Sequence, residues 1–270
     1  MSENTLFDME PSPHIGRPML SVLPVSVLEL EPETSTQRRS DGDHDTQSSR
    51  NEYSHFPSTV GDLCFQLYLR DAQRVFDPFA GWGERGSLAR SYGKNYLGVD
   101  CSREAIAFAE NRYHVHNVQG DSRTYPPPPF DGLLTCPPYW NLEKYQGEGL
   151  DKAKTWGEFV DDLWLVFKAS YDVSRPGAKF CIMTGDWRDA GIYYDLSFQV
   201  QRIFDRLGAE TIDQVIVSRR TISKVKIMIP QAVRLGYTVK VHETLNVFQK
   251  PMRVRACSSV FERIDTGVNR

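Results

Sequence analysis

The sequence predicts an α/β protein built on a doubly wound, mainly parallel sheet with an antiparallel edge. Three observations carry that expectation. Short apolar runs alternate with helical periodicities over residues 59–250. Several of these runs end in an acid or a proline elbow, at Asp77, Asp100, Asp121 and Cys136. A glycine-rich loop holding Gly81, Gly83 and Gly86 follows the first of them. Such strand tips collect along the carboxyl rim of a parallel sheet, where open α/β folds bind ligands.

Each element follows from local chemistry. Residues 59–68 read as a helix, since Val60, Leu63, Cys64, Leu67 and Tyr68 share one face. Residues 74–76 form a first strand, and the glycine loop leads into a helical stretch at 87–92. Glycines there permit positive φ and let the backbone approach a ligand closely. A second strand at 95–100 ends in Asp100, about 20 residues after the first glycine, the spacing at which a carboxylate reaches a ribose diol. Ser102 is placed to cap a helix over 105–113, and residues 118–121 form a short strand ending in Asp121.

The apolar run at 130–135 reads as a buried strand that stops at Cys136-Pro137-Pro138-Tyr139. Each proline lacks the N–H a ladder requires, and the residue before each is pushed toward extended geometry. The result is a stiff elbow presenting a small polar side chain and an aromatic ring. Residues 141–154 are polar and glycine-containing, and are expected to form a mobile loop over the site. A helix at 156–173, a strand at 178–183, a helix at 197–207 and a strand at 211–217 follow. The basic segment 218–236 is expected to interrupt regular structure, and residues 239–248 supply a last strand or hairpin. With no obvious helix joining that last pair, an antiparallel edge is expected.

Composition narrows the classes. With 270 residues and 40% hydrophobic content, the chain can bury one sizeable core. It contains no run of about 18 apolar residues that would span a membrane, and no signal-peptide pattern. Five cysteines are scattered without a Cys-x-x-Cys pair, and the histidines lack ligand spacing, so no metal site and a reducing compartment are expected. The net charge of −3 divides unevenly: residues 1–50 hold 4 basic and 9 acidic residues, which leaves +2 for the remainder. Nine Lys and Arg against one acid, Glu243, lie in 218–255. The expected organisation is a disordered arm over 1–50, a catalytic domain over 51–255 with a short basic insertion near 218–236, and a tail over 256–270. Within the arm, the apolar patch 21–30 could dock as a strand on the body or on a partner.

Asp77-Pro78-Phe79-Ala80-Gly81-Trp82-Gly83, followed by Thr135-Cys136-Pro137-Pro138-Tyr139-Trp140, resembles the S-adenosylmethionine-dependent DNA methyltransferases that modify exocyclic amino groups. The resemblance covers residues 56–250 and implies the Rossmann-like class I methyltransferase fold. It implies that Asp77, Phe79, Ala80, Gly81 and Gly83 wrap the methionine part of S-adenosylmethionine. It further implies that Asp100 holds the ribose and that Asp121 faces the adenine amine. Cys136, Pro137, Pro138 and Tyr139 match the catalytic tetrapeptide with one departure, since the family has Asp, Asn or Ser where this chain has Cys136. In the family the first side chain and the first proline carbonyl accept hydrogen bonds from the amine, and the aromatic residue stacks on the base. A thiol is a weaker acceptor than a carboxylate or hydroxyl. A thiol attacking cytosine C6 usually sits in a Pro-Cys dipeptide, which this chain lacks.

The function expected from the resemblance is transfer of a methyl group to N4 of cytosine or N6 of adenine in a flipped base of double-stranded DNA. Two other readings stay open: an RNA or protein-glutamine methyltransferase of the same fold, and a catalytically weak nucleic-acid-binding protein. Arg219, Arg220, Lys224 and Lys226 are candidate phosphate contacts. So short a recognition segment implies a short target sequence, a homodimer, or an accessory specificity partner. A cytoplasmic, nucleoid-associated protein of a bacterium or phage is expected, within a restriction-modification setting.

Overall fold

The computed structural model describes residues 20–30, 56–141, 149–219 and 223–252, with the backbone alone at 219 and 223–227. In chain order the strands are β1 (Val27–Leu30), β2 (Arg74–Asp77), β3 (Asn95–Asp100), β4 (Val118–Gln119), β5 (Gly132–Thr135), β6 (Lys179–Thr184), β7 (Trp187–Asp189), β8 (Ile192–Tyr194), β9 (Glu210–Arg219) and β10 (His242–Gln249). The helices are α1 (Ser58–Leu63), α2 (Glu84–Ser91), α3 (Arg103–Tyr113), α4 (Trp156–Val173), α5 (Leu196–Leu207) and α6 (Ser223–Leu235). A π-helical turn, Cys64–Tyr68, continues α1, and a 3-10 turn spans Leu150–Lys152.

Among the described residues one sheet runs β1-β9-β10-β6-β5-β2-β3-β4, and β7 pairs with β8 in a separate hairpin. Every pairing in the large sheet is parallel except those of β10, which is antiparallel to both β6 and β9. The antiparallel pairing expected of the last strands is therefore present. Its position is finer than expected, because β10 slots between β6 and β9 and β1 closes the edge beyond β9. This reversal brings the first residues of β10 to the rim where the parallel strands end.

Helix boundaries follow from caps. The Ser102 hydroxyl accepts the Ala105 N–H at 3.2 Å, and the Thr155 hydroxyl accepts the Glu158 N–H at 3.2 Å. Glu158 reaches back to the Lys154 N–H at 2.8 Å and completes a reciprocal cap at the start of α4. α5 ends at Gly208, whose φ of 77° is cheap only for glycine. Alternation along each strand then splits the core into two layers. Phe76, Leu133, Phe180, Ile182 and Phe248 face α4 and α5, where Phe204 stacks on Phe248 with ring centroids 4.4 Å apart. Val75, Leu134, Cys181, Met183, Leu245 and Val247 face the opposite way, onto the α1 segment.

Two expectations are corrected, the first of them in part. The arm expected to be disordered is ordered at its apolar patch 21–30, which docks as a strand on the body, one of the two placements expected for it: β1 pairs with β9 in register from Val27↔Ile216 to Leu30↔Arg219, with Val22 and Leu28 buried against the second layer. Burial of those apolar residues outweighs the polar composition around them. The basic segment is not irregular: residues 223–235 form α6 with Pro230 inside it. An interior proline removes one helical hydrogen bond and reads as a terminator, which hid the helix in the sequence. The stretch after β6 folds into the β7–β8 hairpin. The expected loop over the site falls mainly on residues 142–148, outside the described residues, as do the tail 256–270 and most of the arm.

Candidate active site

A cleft of about 900 Å³, open to solvent, lies along the carboxyl rim of the sheet. Its floor begins at the end of β2. Asp77 is fully buried, and its carboxylate accepts from the Thr135 hydroxyl at 2.6 Å, Arg85 Nε at 2.7 Å, the Tyr96 hydroxyl at 3.0 Å and the Phe79 N–H at 3.1 Å. Arg85 also donates to the Phe79 carbonyl. Burial opposes the guanidinium charge, but Asp77 and Tyr96 outweigh it and raise the Arg85 pKa. Burial first and Asp77 second push the Tyr96 phenol well above its ordinary value.

Asp77 does not line the cleft, and neither do Ala80 and Gly83. Asp77 braces the loop from beneath. A Cβ on Gly83 would meet the Ala109 Cβ at 2.5 Å, so this glycine, at φ 92°, lets the start of α2 pack on α3. Gly81 differs: at φ 54° it has only atoms at 3.9 Å or more around the position of a Cβ, and it lines the cleft with Pro78 and Phe79.

Asp100, at the end of β3, faces the cleft and binds the loop to the strand tip. Its oxygens accept the Gly81 N–H at 2.7 Å and the Ser102 N–H at 2.8 Å. Burial raises its pKa, and those two backbone donors act the other way. Asp121 also lines the cleft, but Arg123 holds both its oxygens at 2.7–3.0 Å and reaches on to Asp162 at 2.8 Å. Burial works against ionisation of Asp121, yet Arg123 prevails and its pKa is lowered. Asp151, missed in the sequence, lines the same wall with Gly149 and Leu150. Between these acids sits Cys101, whose thiol is pushed up to about 11 by burial and by Asp100 and Asp151.

The elbow stands on the same cleft. Cys136, Pro137, Pro138 and Tyr139 all line it, together with Met183 and Glu243. The Cys136 Sγ lies 4.0 Å from the Pro137 carbonyl oxygen. Tyr139 is largely buried; its ring meets Trp187 edge-on at 5.6 Å and its hydroxyl donates to Glu243 Oε1 at 2.8 Å. Trp140, Trp156, Trp187 and Tyr194 form a continuous ring cluster behind the elbow. Asp186 accepts the Ser197 N–H at the start of α5, and Arg188 lies over the rings of Tyr193 and Tyr237, each at 4.8 Å. Of the proposed phosphate contacts, Arg220 lies outside the described residues, and the side chains of Arg219, Lys224 and Lys226 are likewise outside the description.

Sequence reading missed Arg85, Arg123, Asp151 and Glu243. Arg85 had a signal, a cation inside a glycine loop eight residues after a buried acid. Glu243 had only a faint one, as the single acid in a basic stretch.

No family model matches the chain, and no curated protein is similar to it. Solved structures do resemble it. StiE O-MT, residues 942–1257, aligns with a TM-score of 0.53 at 14% identity, over 84% of this chain and 85% of that one. A SAM-dependent methyltransferase from Methanosarcina mazei aligns with a TM-score of 0.50 at 12% identity, over 74% of this chain and all of that one. TrmN from Thermus thermophilus aligns with a TM-score of 0.47 at 17% identity, over 70% of this chain, which spans about half, 48%, of that protein. Identities this low establish the fold alone. The chain has the Rossmann-like fold of class I methyltransferases. Among the described residues no helix is long and apolar enough to cross a membrane.

Proposed function

We propose that this protein binds S-adenosylmethionine and methylates an exocyclic amino group, N4 of cytosine or N6 of adenine, in double-stranded DNA. The observation that carries the reading is the placement of the Cys136–Tyr139 elbow and of Gly81 and Asp100 on the walls of one cleft, with β5 and β2 as neighbouring strands beneath them. The wall fits the cofactor's chemistry. Gly81 is open toward the cleft, and Asp100 is a cleft-facing carboxylate whose acceptor sites are not exhausted by two backbone donors. Asp100 would hold the ribose hydroxyls, Phe79 and Gly81 the methionine part, and Asp121 would share its oxygens between Arg123 and the adenine amine. When bound, the cofactor supplies an electrophilic methyl group on a sulfonium.

The chain's own residues act at the elbow. The Pro137 carbonyl accepts a hydrogen bond from the target amine and orients its nitrogen toward the cofactor's wall of the cleft. Tyr139 bounds the slot for a flat ring, clamped between Trp187 and Glu243. Fixing an amine this way contributes several kcal/mol of positioning, and acceptors preorganised around a nitrogen that gains positive charge add to it. DNA as substrate is supported by the positive balance of the chain beyond residue 50 and by the basic residues Arg219, Arg220, Lys224 and Lys226.

The test is incubation of the full chain with methyl-labelled cofactor and genomic DNA, then digestion to nucleosides and mass spectrometry. Labelled N6-methyladenine or N4-methylcytosine is expected. Label found only in RNA or protein would move the substrate. 5-Methylcytosine would replace the chemistry.

A further inference from the structure

The family's tetrapeptide begins with an acceptor, and this chain begins it with a thiol. A strong acceptor nevertheless lines the same cleft. Glu243 is the second residue of β10, and because β10 runs antiparallel to its neighbours, its start lies at the rim where β5 and β6 end. The pairing Thr244↔Thr184 puts Glu243 beside Gly185. A Cβ on Gly185 would lie 3.0 Å from the Tyr139 hydroxyl and 3.3 Å from Glu243 Cγ, so the glycine leaves room for that pair. Glu243 then lines the cleft with Cys136, Pro137 and Met183.

We propose that Glu243 is a catalytic residue of this site, the carboxylate that receives the amino group of the acceptor base in place of the first tetrapeptide side chain. The inference rests on the methyltransferase reading above and deepens it. The Tyr139 hydroxyl donates to Oε1, and Glu243 stands on the cleft wall with Pro137, whose carbonyl is the other acceptor for the amine. Glu243 accepts an N–H from the amine and, as the nitrogen gains its methyl group, takes the proton that nitrogen releases. The nitrogen lone pair forms the N–C bond as the C–S bond breaks with its pair left on a neutral thioether, and the N–H bond then leaves its pair on nitrogen while an O–H bond forms on Glu243. Cys136 fills the small space beside Pro137, where a second carboxylate facing Glu243 would raise like-charge repulsion.

The test compares Glu243→Gln, Tyr139→Phe and the double variant Glu243→Gln with Cys136→Asp, in the full chain and on DNA that the wild type methylates. Gln keeps the shape and an oxygen for the Tyr139 hydroxyl but cannot take a proton. Removal of a general base costs about 10²-fold or more, so kcat for Glu243→Gln is expected to fall by at least about that factor. Its KM and its calorimetric affinity for S-adenosylhomocysteine are expected to stay within about threefold, and the acid limb of its pH–kcat profile to disappear. Tyr139→Phe keeps the ring but loses the hydroxyl that holds Glu243, so it should lower kcat by about tenfold, a smaller loss than Glu243→Gln, and the double variant should regain about tenfold over Glu243→Gln. Wild-type kcat in Glu243→Gln, or an equal loss in Tyr139→Phe, would reduce Glu243 to a prop for the ring and overturn the inference alone. A wild type that methylates no nucleic acid overturns this inference together with the reading beneath it.

Discussion

Two carboxylates near the cleft are held on different principles. Under the glycine loop, Asp77 is enclosed by donors from β5, α2 and β3 and never reaches the cleft. Beyond the elbow, Tyr139 and Glu243 meet across a separation of 104 residues and both line the cleft. The first carboxylate gives rigidity, and the second stands on the cleft wall. The same functional group thus takes different places, decided by enclosure rather than by position at a strand tip.

The strongest way to break this contrast is Asp77→Ala. It would leave the buried Arg85 guanidinium without its main partner, and breaking one side of such a pair costs about 3–5 kcal/mol. A urea unfolding midpoint near that of the wild type would show that the floor is not a structural ion pair. The next effect in size belongs to Asp100→Ala, which faces the cleft. Cofactor affinity should weaken by about 1.5–3 kcal/mol, the value of a hydrogen bond to a charged acceptor. Unchanged calorimetric affinity would remove Asp100 from the ribose role.

The smallest effect sharpens the comparison through pH. Arg123 holds the Asp121 pKa below its unfolded value, so the unfolded chain binds more protons in that window. The stability from this pair is fully present above about pH 4 and is lost as pH falls through the lowered native value. Asp100, with its pKa raised, has the opposite sign: its contribution is present at low pH and is lost as pH rises through its native value. Both partners of the Asp121 pair are partly solvated, so the gain is at most about 1 kcal/mol. Asp121→Asn should therefore lose more stability against the wild type at about pH 6 than at about pH 3, read from urea midpoints. Equal losses at both pH values would detach Arg123 from this role.

What could be read from residues in order was whatever a few neighbouring residues decide. The caps at Ser102 and Thr155 and the arrest of β5 at Pro137-Pro138 are local hydrogen-bond chemistry. So are the alternating runs, and these sufficed for an α/β sheet with its ligand rim, while the cleft-lining Phe79, Gly81, Asp100, Asp121 and Cys136–Tyr139 were picked out by the motifs that resemble a known family. Enclosure, strand neighbours and partners across the chain were decided only in three dimensions. No local signal separates Asp77, buried under four donors, from Asp100, which ends the next strand and faces the cleft. None inserts β10 between β6 and β9, lays β1 on β9, or brings Glu243 to Tyr139. Those outcomes depend on contacts between residues far apart in sequence. Their energies come from shared burial, and that burial exists only once the layers have packed.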